Sequence, residues 1–150
     1  MTISRPRIAH HIQVYQVDEQ YYVTGMIQLS NLSWKSMAPV EQVSKSDLKS
    51  FEKAIEVARM RSRPLVKDSP DHESNRLWDG NGGMVWKNTS KLWSIRWYID
   101  GTVLIAPYSK MRPLDDPELA DGSGWRRNRD AEEVLGPPVT TSAIVQRLME

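Results

Sequence analysis

The chain has 150 residues, 39% of them apolar and 26% charged, with 20 Lys plus Arg against 19 Asp plus Glu for a net charge of +1. That length suits one α+β-sized domain with a real core, and near-neutrality removes any global electrostatic argument for nucleic acid or an anionic membrane. The absence of Cys excludes a disulfide framework, thiolate catalysis and Cys-ligated zinc or iron–sulfur sites.

The opening residues, MTISRPRIAHH, contain no apolar run and do not read as a secretory signal. No stretch approaches the roughly 20 apolar residues of a membrane-spanning helix. The expectation is a soluble, cytoplasmic protein. Asn31-Leu-Ser33 and Asn88-Thr-Ser90 match the glycosylation pattern, which without a signal reads as chance.

Residues 12–17 and 21–29 read as strands, linked by Asp18-Glu19-Gln20, a spacing short enough for a hairpin. Alternation places Ile12 and Val14 on one face and Tyr15 and Val17 on the other. Gly25 inside the second run signals a bulge or a close backbone approach. Residues 30–43 are polar and irregular and read as a loop tacked down by Trp34 and Met37.

Residues 47–62 give the clearest helix. Leu48, Phe51, Ile55 and Ala58 recur at intervals of 3, 4 and 3. Ser46, or Ser44 with Asp47 as a capping box, starts it, and Pro64 stops it. Arg59, Arg61 and Arg63 crowd its end, where cations favour the helix dipole. Residues 70–83 read as a polar loop, followed by a short strand over Met84–Lys87.

Leu92 to Lys110, LWSIRWYIDGTVLIAPYSK, is the strongest structural signal. Asp100-Gly101 suits a two-residue type I′ turn, which pairs Trp97 with Leu104, Ile95 with Ala106 and Trp93 with Tyr108. One face then carries Trp93, Ile95, Trp97 and Ile99, backed by Leu104 and Tyr108, and belongs to the core. The other carries Arg96 and Tyr98 against Val103 and Ile105, a mixed face open to use.

Residues 111–138 form a long punctuated segment with three Gly and four Pro. Loops of that length are often functional or mobile. An acidic part (Asp115, Asp116, Glu118, Asp121) precedes a basic one around Trp125. Residues 141–150 read as a terminal helix that docks through Ile144, Val145, Leu148 and Met149. The expected fold class is therefore α+β over residues 1–150. It is a single antiparallel sheet of about five strands in the order β-β-α-β-β-β-α, with the main helix across one face.

No local pattern carries catalysis. Gly80-Asn-Gly82-Gly83 precedes a strand and lacks a following Lys-Ser/Thr pair, so it reads as a tight turn rather than a phosphate cradle. His10 and His11 are adjacent and point to opposite faces of a strand. Asp71-His72-Glu73 reads as solvated loop charge. There is no Gly-x-Ser-x-Gly elbow. No catalytic residue, metal ligand or cofactor is assigned.

The partner-binding candidates are Trp125, Arg126, Arg127 and Arg129, joined by Arg96 and Tyr98 on the mixed face. Trp and Arg are enriched at binding hot spots. The competing reading tucks Trp125 into the core and pairs the arginines with Asp130, Glu132, Glu133 or the acidic segment before them. A second basic cluster, Lys49, Lys53, Arg59, Arg61 and Arg63, interleaves with Glu52 and Glu56 and reads as a solvated face. By exclusion, the sequence suggests a non-enzymatic bacterial protein-binding module, an inhibitor or immunity (antitoxin-like) protein or a small adaptor, with an unidentified protein partner. Binding of RNA or single-stranded nucleic acid through aromatics and arginines is the alternative. An enzyme or small-ligand carrier without a readable motif is the further alternative.

Overall fold

The structure, a computed structural model, describes residues 7–28, 34–62, 89–110 and 125–149. It is an α+β arrangement of one antiparallel sheet and two helices. The strands are β1 (Ile8–Val17), β2 (Gln20–Gln28), β3 (Trp34–Ser44), β4 (Lys91–Tyr98), β5 (Val103–Lys110), β6 (Trp125–Arg127) and β7 (Glu133–Leu135). The helices are α1 (Leu48–Arg61) and α2 (Thr141–Met149), with a short 3₁₀ turn over Arg129–Ala131. The sheet order is β3-β2-β1-β4-β5-β6, and β7 pairs with the other end of β5 along the same edge as β6.

The β1–β2 hairpin forms where the alternating pattern places it. Val17 faces Gln20 across the Asp18-Glu19 turn. Asp18 takes the left-handed conformation, φ 51°, which Asp tolerates better than most residues. Ile12 and Val14 enter the main core, whereas Tyr15 and Val17 join a second cluster on the other face. Gly25 marks a close approach: a Cβ there would lie 2.5 Å from the Ala58 carbonyl oxygen of α1.

Within the expected loop over residues 30–43, residues 34–43 are strand instead, part of Trp34–Ser44, and residues 30–33 lie outside the described residues. It lies at the sheet's edge, and its pairing advances from Val23↔Glu41 to Gly25↔Met37, so two extra residues bulge out around Pro39. An edge strand tolerates a proline at a bulge, since no ladder bond needs its missing N–H.

α1 starts with Asp47 as its N-cap rather than with a serine. Its Oδ1 accepts from the Ser50 N–H at 3.1 Å and its Oδ2 from the Ser50 hydroxyl at 2.7 Å. Phe51, Ala54, Ile55 and Ala58 are buried against the sheet, and Phe51 stacks on Tyr21 with ring centroids 4.1 Å apart. Leu48, in the first turn, is exposed. Arg61 pairs with Glu41 at 3.0 Å, and Arg59 lies over the Trp97 ring at 5.0 Å. Ser62 ends the helix and ties it to two strands. Its hydroxyl accepts from the His11 N–H and donates to the Met26 carbonyl, both at 2.7 Å.

The central hairpin forms with a register one residue from the expected one. Trp97 faces Val103, Ile95 faces Ile105 and Trp93 faces Pro107. The loop is three residues, Ile99-Asp100-Gly101, closed by Gly101 N–H to Tyr98 O at 3.0 Å and Tyr98 N–H to Thr102 O at 2.9 Å. Asp100 is not left-handed; Gly101 is, at φ 89°. That is a type I turn followed by a left-handed glycine. The Asp100 carboxylate supports it by accepting from the Thr102 N–H and hydroxyl, which holds its pKa below the usual carboxylate range.

The slip exchanges the faces of β5. Val103 and Ile105 join Trp93, Ile95 and Trp97 in the main core under the helices, while Leu104 and Tyr108 turn to the opposite face beside Arg96 and Tyr98. The expected mixed face is thus corrected: Val103 and Ile105 are core, and Ile99 is exposed at the hairpin tip. Ile144, Val145 and Leu148 of α2 complete the main core.

The expected strand count and order also change. Two short strands, β6 and β7, arise within the segment read as a loop, and both pair with β5. The expected strand at 84–87, the Gly80–Gly83 turn, the Asp71–Glu73 group and the acidic run at 115–121 lie outside the described residues.

Candidate functional site

The sequence-selected residues fall on two sides of one sheet edge. Trp125, Arg126 and Arg127 form β6, with Tyr108↔Arg127, Ser109↔Arg126 and Lys110↔Trp125 as pairs. Alternation sets Trp125 and Arg127 on the side of Tyr108, Arg96 and Tyr98. Arg126 shares the opposite side with Ser109. Arg129 follows in the 3₁₀ turn.

The first side is the face of the sheet away from the helices, and its selected side chains are half-buried. Trp125 is half-buried and packs against the Tyr15–Leu92 cluster with Tyr22 and Tyr108. Arg127 forms a two-pronged ion pair with Glu132, through Nε to Oε1 and through Nη2 to Oε2 at 3.1 Å. The Glu132 hydrogen bond pushes the Arg127 pKa up, and Tyr98 and Tyr108 lie near enough to act on its charge. Arg96 and Tyr98 are half-buried on the same face. His11, opposite Arg96 in the β1–β4 pairing, is 3% exposed. Burial, with Arg96 and Arg127 adding like charge, lowers its pKa from 6.5 to about 3. His10 points the other way, with its Nδ1 3.3 Å from the Ser62 carbonyl oxygen.

The second side is the face that carries Val103 and Ile105 farther along β5, and at Ser109 and Arg126 it is exposed. Ser109, Arg126, Arg127, Asn128, Arg129 and Asp130 line a depression of about 390 Å³. Arg126, Arg129 and Asp130 are exposed. Among the described residues neither Arg126 nor Arg129 makes an ion pair. The rim is held from beneath: the Asn128 N–H donates to the Pro107 carbonyl at 2.9 Å, and the Ala131 N–H to the Asn128 carbonyl at 3.2 Å.

Sequence reasoning found the arginines. It named Asp130 and Glu132 only as possible countercharges, and it had no means to bring Ser109 or His11 to the group. The placement of Ser109 depends on β6 pairing with β5, which three residues, WRR, do not signal, and that of His11 on the register of β1 against β4. Among the described residues, no cluster of three or more His, Asp or Glu has metal-ligating geometry.

Comparison with protein families finds no match, and comparison with curated proteins finds none. Among solved structures, the chain resembles a protein of unknown function from Neisseria meningitidis, with a TM-score of 0.70 at 15% identity over 99% of this chain and 96% of that one. It also resembles a chain of a CdiA-CT/CdiI toxin and immunity complex from Yersinia pseudotuberculosis, with a TM-score of 0.67 at 10% identity over 95% of this chain and 96% of that one. At such identities the likeness is one of fold, and it spans nearly the whole of each chain.

Proposed function

We propose that the protein is a non-enzymatic binding module of the immunity kind, a bacterial cytoplasmic protein that holds a toxin-like protein partner. The observation that carries this reading is the fold likeness, over 95% of the chain, to a chain of a toxin and immunity complex. Of the two roles in such a pair, the immunity role asks only for a surface complementary to the partner. A rigidly framed, exposed arginine rim beside a half-buried Trp supplies the residue types of such a surface. In this reading Arg126 and Arg129 touch the partner directly. Trp125, Arg127, Arg96 and Tyr98 hold the strand that presents them.

The test is affinity capture of the tagged protein from its native lysate, with and without nuclease, read by mass spectrometry. One protein recovered near stoichiometrically and surviving nuclease is the expected result. Recovery of nucleic acid, or loss of all partners after nuclease, would contradict it and favour the nucleic-acid reading.

A further inference from the structure

Building on the protein-binding reading, we propose that Arg126 and Arg129 form a receptor for side-chain carboxylates, so that the partner docks through an acidic segment. Both guanidiniums are exposed at the rim of the 390 Å³ depression. Arg127, which also lines the depression, is already committed to Glu132. The β5 pairing and the Asn128–Pro107 hydrogen bond fix the backbone that carries them, so little backbone order remains to be lost on docking. A planar guanidinium matches a carboxylate with two parallel N–H···O bonds. The Asn128 amide and the Ser109 hydroxyl add neutral donors to the same depression.

Three observations favour a protein's carboxylates over a nucleic-acid backbone. Asp130 lines the same depression and repels a continuous run of phosphates, whereas spaced carboxylates can avoid it. Trp125 lies on the opposite side of β6 from Arg126 and packs on the Tyr15–Leu92 cluster, so the aromatic and the exposed arginines do not form one stacking platform. The net charge of +1 supplies no long-range field to gather a polyanion.

The test titrates the full chain with a fluorescein-labelled glutamate decamer and, separately, a labelled uridine decamer at low and moderate salt. The expected result is saturable binding of the glutamate decamer, weakened at least tenfold in the Arg126→Glu/Arg129→Glu double variant. Asp130→Asn should tighten it. Both variants change exposed side chains, and an unchanged melting temperature verifies that they remain folded. Absence of saturable glutamate binding, equal binding by the double variant, or preference for the uridine decamer would overturn the proposal. A lysate partner captured equally by the wild type and the double variant would also overturn it, while leaving the protein-binding reading intact.

Discussion

At Gly25 the absent side chain decides how closely α1 approaches the sheet. The nearest backbone atom of the helix lies 2.5 Å from where a Cβ would stand, inside the contact limit, and it cannot rotate away. Gly25→Ala should therefore push α1 off β2 and cost about 2–3 kcal/mol, the scale of overpacking a core, measured by urea denaturation. His11 makes a pH prediction. Neutral when folded, it takes up a proton in the unfolded chain below about pH 6.5 and in the folded one only near pH 3. Its share of stability is present above pH 6.5 and is lost as pH falls toward 3. The slope is about 1.4 kcal/mol per pH unit, or about 2–3 kcal/mol by pH 4.5. Denaturation midpoints of wild type and His11→Gln across pH 4–8 should show the flatter profile in the variant.

At the scale of elements, the readable parts were those with long, regular periodicity. The 47–62 helix, the 141–150 helix and the two hairpins lie where their patterns put them, to within a residue or two at most termini. What failed was decided by contacts the pattern does not encode. The Asp100 carboxylate bonded to Thr102 stabilises a three-residue loop over the two-residue one that Asp-Gly suggests, and a single residue of slip moved Val103 and Ile105 from the mixed face to the core. β3 hid behind Pro39, which a bulge at the sheet edge accommodates. β6 and β7 are three residues each and are strands because β5 offers them a free edge, with little help from their own propensity. The same geometry separates two neighbouring arginines by role. Arg127→Ala should lower the melting temperature, because it leaves Glu132 half-buried without its partner. Arg126→Ala, exposed and unpaired among the described residues, should leave it unchanged. Thermal unfolding of the two variants side by side measures the contrast.

Over the whole molecule, both helices lie on one face of the sheet and the second aromatic cluster on the other, with β1 and β4 at the centre. The exposed arginines sit at the β6 edge, away from α1 and its interleaved acidic and basic side chains. Among the described residues no helix is long and apolar enough to cross a membrane. The charge asymmetry is thus local, carried by a few side chains on a nearly neutral chain. Local charge of this kind sets orientation and encounter rate with a complementary protein surface more than it gathers polyanions at a distance. Capture from native lysate with and without nuclease, with the recovered species quantified against the tagged chain, decides between a protein and a nucleic-acid partner. A single protein at close to equal molar amount, unchanged by nuclease, is expected. Recovery of nucleic acid, or of no protein at comparable amount, would contradict that expectation.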